Sequence, residues 1–190
     1  IVLGLLDETG HELDLSKTEL RCSMDTSLRD NNRSLLLELR EDATEIEFSS
    51  FDRKPVVSFL RAFSAPVKLN YQREKEETQF IARNDQDGFV RWDAMQTLWL
   101  AAFDDPTLEE APCEVVQETA IEALKAKNAE QKLLGANMLS VPSELYLLEQ
   151  LRDIDLDRTL NQRDGLLRKL AIDNLDTWLQ LYETYESDKT

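Results

Sequence analysis

The sequence predicts two successive folds, a β-sandwich (Ig-like) domain over residues 1–71 and an α-helical bundle or superhelical domain over 72–190. Three observations carry that expectation. Short apolar segments punctuated by turn residues fill the first seventy positions. The hydrophobic period lengthens to 3.6 near Gln72 and stays there. Only five glycines and five prolines occur, too few for a low-complexity chain.

In the first part, Ile1-Val2-Leu3-Gly4-Leu5-Leu6 reads as a strand and Asp7-Glu8-Thr9-Gly10 as a turn in which Gly10 can take a positive φ. Leu13 and Leu15 alternate with polar neighbours and read as the return arm of a hairpin. Further strands are expected at 34–39, 44–48, 56–60 and 67–71. Pro55 and Pro66 each stand at a strand start, where the missing N–H costs little. Arg29-Asp30-Asn31-Asn32-Arg33 is a polar turn between strands.

In the second part, helices are expected over 74–83 and 89–103, from Pro112 to about 127, over 130–139, and onward from Pro142-Ser143. Trp92, Met95, Gln96 and Trp99 lie near one stripe of the second helix. Pro112 falls in the first turn of the third, where its ring is tolerated. Val115, Val116, Thr119, Ala120, Ala123 and Leu124 form that helix's inward face. The fifth carries Leu145, Leu148 and Leu151. A last pattern, from Leu156 to about Tyr185, is one helix or two joined near Arg163-Asp164-Gly165. Short links between antiparallel helices imply a bundle or a solenoid.

The formal charge is −16. Residues 1–71 hold 9 basic and 13 acidic groups, and residues 72–190 hold 13 and 25. A basic footprint for nucleic acid is missing, and an anionic membrane surface is an equally poor partner. No run approaches the ~18 apolar residues of a membrane-spanning helix. No signal-peptide pattern opens the chain. It begins at Ile1 rather than at Met, so it is expected to belong to a longer polypeptide. The two cysteines, Cys22 and Cys113, read as free thiols in a reducing compartment.

No arrangement of residues assembles a catalytic or metal site. His11-Glu12-Leu13-Asp14-Leu15 begins like the zinc motif H-E-x-x-H, in which two histidines four apart on a helix bind the ion. Here Leu15 stands at the second histidine position and His11 is the only histidine of the chain. It reads as a side chain flanking a turn. Arg83-Asn84-Asp85-Gln86-Asp87-Gly88 has part of a calcium loop, but it lacks the leading acid and the closing bidentate Glu. It reads as a helix-to-helix turn with a capping Asp. Asp153, Asp155 and Asp157 read as caps of the last helix. Asp104-Asp105 and Glu109-Glu110 around Pro106 read as a solvated loop. Trp92 with Trp99, and Trp178 with Tyr182 and Tyr185, have the spacing of core stripes or of a face that docks a helix or peptide.

One stretch is more specific. Residues 54–69, and above all Phe63-Ser64-Ala65-Pro66-Val67-Lys68-Leu69, resemble the end of the small β-sandwich domain of the bacterial aminopeptidase N family. Arg83-Asn84-Asp85 with Phe89-Val90-Arg91-Trp92-Asp93-Ala94, and Leu139-Ser140-Val141-Pro142-Ser143-Glu144, are similar to later segments of that family. The resemblance implies a fragment of a zinc-dependent, cytoplasmic metallopeptidase (a protease of the hydrolase class) that removes N-terminal residues from peptides. The family's zinc ligands and catalytic residues precede the sandwich, so none carries over to a position here. By the resemblance, catalytic, cofactor-binding and metal residues are none in this chain, and zinc belongs to the parent enzyme. The fragment would be the sandwich and the first part of a larger C-terminal helical domain that helps shape and enclose the peptide-binding cavity. Its partners would be the N-terminal and catalytic domains of its parent chain and, through them, peptide substrates. Self-association of the isolated piece is expected at high concentration. The alternative is a stand-alone helical protein-interaction module or scaffold.

Overall fold

The computed structural model describes residues 1–43, 45–67, 69–151 and 155–187. The expectations that touch Thr44, Lys68 and Asp153 lie outside the described residues. The chain divides into two compact units, Ile1–Asp93 and Ala94–Thr190.

The first unit holds β1 (Val2–Leu6), β2 (Glu19–Cys22), β3 (Thr26–Arg29), β4 (Ser34–Leu37), β5 (Ile46–Ser49) and β6 (Val56–Phe59). These are followed by α1 (Lys75–Asn84) and the first turns of α2 (Gly88–Asp104). One sheet has the order β3-β4-β1-β6, and β2 pairs with β5 in a second, with every pair antiparallel. Leu3 and Leu5 of β1 join Leu15, Leu35 and Leu37 in the core, against which Leu20, Ile46, Phe48 and Phe59 pack. Gly4 and Leu6 point to the other face and are buried as well. Burial on both faces explains the unbroken apolar run of this strand, since a half-exposed strand would alternate.

Three expectations need correction here. The return arm at Leu13 and Leu15 is not a strand: it is reduced to a bridge between Leu6 and Glu12, with bonds from the Leu13 N–H to the Leu5 carbonyl and from the Asp7 N–H to the His11 carbonyl (both 2.9 Å). Asp14 accepts from the Ser16 N–H and caps a single 3-10 turn, Leu15–Lys17, so Leu15 enters the core from a turn. The segment 67–71 carries no strand among its described residues. Pro66 has no N–H to give, the Val67 N–H turns back to Ala65, and Tyr71 packs edge-on against Phe59 instead. Conversely, β2 and β3 were not expected. Their residues are mostly exposed and polar, so edge pairing holds them without a strong alternation of hydrophobicity.

The second unit holds the rest of α2, a 3-10 turn at Pro106–Leu108, and α3 (Glu110–Ala123), α4 (Ala129–Met138), α5 (Glu144–Gln150), α6 (Leu156–Asp173) and α7 (Leu175–Ser187). Met95, Gln96 and Trp99 are buried on α2 and Trp92 is partly so. Pro112 lies in the first turn of α3, and Val115, Val116, Thr119, Ala120 and Ala123 are buried along it. The helix stops at Ala123, short of 127. The Lys125 and Ala126 N–H groups tighten onto Glu122 and Ala123, and Asn128 then caps α4 through the Gln131 N–H (2.8 Å).

Ser143 caps α5 through the Tyr146 N–H, and Leu147 is its buried residue while Leu145 and Leu148 are exposed. The last pattern is two helices, joined at Asn174 and not near Gly165. The buried Asn174 amide donates to the Leu170 carbonyl (3.1 Å), and the Trp178 indole N–H donates to the same oxygen (2.9 Å). Those two bonds satisfy a carbonyl that the break leaves without its helical partner.

Candidate functional site

Glu12 of the zinc-like pattern and Asp85 of the calcium-like one meet in one buried ion network of the first unit. Register creates its seat. Ser34 of β4, Gly4 of β1 and Ser58 of β6 lie directly opposite one another across three strands. A glycine and two serines thus form one row, and the Arg61 guanidinium lies on it. Its Nε donates to Ser58 Oγ (2.8 Å) and its Nη1 to Ser34 Oγ (3.3 Å) and Glu12 Oε1 (2.7 Å). A Cβ built on Gly4 would stand 2.2 Å from Arg61 Cζ, so only glycine leaves the space.

Glu12 also receives Arg33 Nη1 at 3.2 Å, and Asp85 stands 3.6 Å from Arg61 Nη2 with its side chain wholly buried. Burial pushes the Asp85 carboxyl above its ordinary range, opposed by the Ser58 hydroxyl, the Asp87 N–H and the Arg61 charge. Asp87 caps α2 through the Val90 N–H (3.0 Å), and its other oxygen accepts the Ala62 N–H (2.7 Å). That bond helps hold a backbone in which Leu60, Ala62 and Phe63 all take φ between 49° and 60°. Each non-glycine residue in this left-handed region costs roughly 1–2 kcal/mol. The strain falls within the segment that resembles the aminopeptidase N family.

The network pairs charges and holds the local backbone. His11 is exposed, with Nδ1 2.6 Å from Thr9 Oγ1. The Thr9 hydroxyl chiefly lowers the pKa of the neighbouring Asp7 carboxyl. Glu12 is committed to two arginines. No group of three or more His, Cys, Asp or Glu side chains able to hold a metal occurs among the described residues. The donor set therefore does not fit the zinc that the resemblance implies for its parent. Asp155 caps α6 through the Arg158 N–H, as the Asp spacing predicts, and Asp105 caps the turn before α3. Cys113 is half-buried, and burial raises its thiol pKa, the reverse of what a nucleophile needs.

Sequence reasoning missed Arg61 and the depth of Asp85. A cation inside Ser58-Phe59-Leu60-Arg61-Ala62-Phe63 was the available signal. A buried arginine must find carboxylates, and Glu12 and Asp85 lie far from it in sequence.

Each unit also has a cavity lined by described residues. In the first unit, an open cleft of about 400 Å³ lies beside β5 and β6, lined by Leu5, Phe48, Phe51, Arg53, Lys54 and Val57 among others. In the second unit, a slot of about 290 Å³ opens between α3, α4 and α7. Its walls are Ala123, Ala136, Leu139, Trp178, Leu181 and Tyr185, with Lys132 at its edge. The Lys132 ammonium lies 4.8 Å from the Tyr185 ring centre, and the Tyr185 hydroxyl is spent on the Ala123 carbonyl. No helix of the described residues is long and apolar enough to cross a membrane.

Residues 1–72 match the family described as a domain of unknown function (DUF3458) with an Ig-like fold. Residues 75–190 match the one described as a domain of unknown function (DUF3458_C) with ARM repeats. The chain is 32% identical over 143 residues to aminopeptidase N of Escherichia coli (strain K12), a match of 71% of this chain and 16% of that protein. Over 154 residues it is 26% identical to aminopeptidase N of Haemophilus influenzae, covering 77% of this chain and 18% of that one. For aminopeptidase N of Caulobacter vibrioides the figures are 32% over 133 residues, 67% and 15%. Among solved structures, Legionella pneumophila aminopeptidase A in complex with aspartic acid shares the fold, with a TM-score of 0.67 at 21% identity. That likeness covers 95% of this chain and 19% of the other. The chain thus spans less than a fifth of the length of the relatives it matches.

Proposed function

The chain belongs to the DUF3458 family of Ig-like and ARM-repeat domains and is homologous to the C-terminal part of aminopeptidase N; from that membership we propose that it is a non-catalytic fragment of a zinc aminopeptidase. In this reading the sandwich is residues 1–71 and the helical domain residues 72–190. The parent, a cytoplasmic enzyme, removes N-terminal residues from peptides, and the fragment helps shape and enclose the peptide-binding cavity. The rest of the polypeptide supplies the zinc ligands and the chemistry. The observation that carries the reading is the 32% identity to aminopeptidase N, confined to 16% of that enzyme's length. A donor set that offers one exposed histidine and no three-ligand cluster among the described residues supports it.

The test uses the purified chain with zinc supplied. It is expected to leave an alanyl chromogenic substrate intact and to associate with the separately expressed N-terminal remainder of its parent. Hydrolysis that follows the chain through purification refutes the inert reading. Failure to bind the remainder favours a second reading, an interaction module, for which the exposed Leu175, Leu179 and Tyr182 of α7 speak.

A further inference from the structure

The turn after β6 holds three left-handed residues out of four. Leu60 stands at φ 60°, ψ 32°, Ala62 at φ 52°, ψ 31° and Phe63 at φ 49°. None is glycine, so the conformation persists only where surrounding groups over-determine it. Arg61, the fourth, is the fixed point, since Ser58, Ser34 and Glu12 hold its guanidinium. Beyond Arg61 the turn is tied to neighbouring elements. Asp87 Oδ2 accepts the Ala62 N–H (2.7 Å), the Phe89 ring centre lies 5.0 Å from that of Phe63, and the Val2 N–H donates to Ser64 Oγ (2.8 Å). A backbone bond from the Ser64 N–H to the Arg61 carbonyl (3.1 Å) closes the turn. Asp87 is itself fixed on two sides. Its N–H donates to Asp85 Oδ1 (2.8 Å), and its Oδ1 accepts the Val90 N–H (3.0 Å). Ala62 is exposed, so its methyl fills no core.

We propose that this turn is a sprung latch: with Arg61 as its pivot, Asp87 winds Ala62 and Phe63 into the left-handed region, and loss of that contact lets residues 62–64 relax while the sheet stays folded. The balance has two discrete ends. In the wound turn the Ala62 N–H has a charged acceptor, and such bonds are stronger than neutral ones. In the relaxed turn that bond is gone, but Ala62 and Phe63 return to backbone wells that their Cβ atoms favour. Strain thus lowers the free energy of opening here relative to the neighbouring strands, which makes the turn a local opening unit. The latch joins two sequence families. The turn lies within residues 1–72, whereas Asp85, Asp87 and Phe89 lie within residues 75–190. A change in the loop between α1 and α2 is therefore felt at the end of the sandwich, through Asp87. The inference does not depend on the aminopeptidase reading, because it rests on bonds within Ile1–Asp93 alone.

The test is amide hydrogen exchange of the full chain, followed residue by residue by NMR and corrected for intrinsic rates. The Ser64 amide is the reporter, because it closes the turn through Arg61 and not through Asp87. Asp87→Ser removes the oxygen that Ala62 uses and leaves a side chain able to cap α2. In it Ser64 is expected to exchange about tenfold faster or more, while the Leu13 amide, bonded to the Leu5 carbonyl of β1, keeps its rate. Ala62→Gly relieves the left-handed cost at φ 52° and deletes no contact of the core. It is expected to slow Ser64 exchange in the otherwise unchanged chain and to bring Asp87→Ser back towards the wild-type rate. Should Asp87→Ser fail to fold, Ala62→Gly alone decides. Three outcomes overturn the proposal: unchanged Ser64 exchange in Asp87→Ser, equal acceleration at Leu13, or a Ser64 rate that Ala62→Gly leaves unchanged or raises.

Discussion

Arg61 shows what a single residue must satisfy inside this fold. A buried guanidinium needs its charge matched: Glu12 and Asp85 do that, and Ser34, Ser58 and Glu12 take up Nε and Nη1, while Nη2 faces Asp85 at 3.6 Å without a hydrogen bond. Gly4 completes the seat by having no side chain. Gly4→Ala is expected to destabilise the chain by about 1–3 kcal/mol, the cost of overpacking, because the guanidinium cannot move without breaking its bond to Glu12. A denaturant midpoint equal to that of the wild type would contradict the seat. Asp85 predicts a pH dependence. Its folded pKa is raised by burial, so the folded state holds the proton more tightly than the unfolded chain. The cost of its ionised form is therefore fully present above the raised pKa and vanishes as pH falls towards 3.8. Asp85→Asn keeps an oxygen for the Asp87 N–H and removes the charge. Its stability relative to the wild type should rise as pH climbs through that window, measured by urea unfolding at several pH values. Parallel curves for the two proteins would refute the assignment.

Elements form where local chemistry and burial agree, and shift where they do not. The cap at Ser143 and the leucines after it announce α5, but the pattern of leucines does not say which one faces inward. Leu147 does. Leu147→Ala is expected to cost about 2–5 kcal/mol, whereas Leu145→Ala stays within roughly 0.5 kcal/mol, as judged by thermal or urea unfolding. Equal losses would mean that the helix is rotated. The break between α6 and α7 makes the same point. Arg163-Asp164-Gly165 looks like a joint because glycine weakens helices by about 1 kcal/mol, yet Gly165 sits inside α6, where a Cβ would meet open space. The joint falls at Asn174, whose amide and the Trp178 indole rescue the Leu170 carbonyl. A single glycine is a weaker instruction than a buried amide with a partner at hand.

For the whole molecule, charge and exposed apolar surface act against each other. Leu39, Phe63 and Val67 of the first unit are each more than half exposed, while a net charge of −16 keeps copies apart. Light scattering is expected to find monomers at low ionic strength and association as salt screens the charge. Monomers at every salt and protein concentration would remove the expectation. By itself the amino-acid order determined the β-then-α succession, since periods of two and 3.6 are local. It also determined the helix start at Pro142-Ser143, the cap at Asp155 and the absence of a second histidine. Only the tertiary structure decided that Glu12 and Asp85 serve Arg61, that 67–71 is not a strand, and which leucines of α5 and α7 stay in water. Each of those depends on partners brought together across many residues of chain, a pairing that no local pattern encodes.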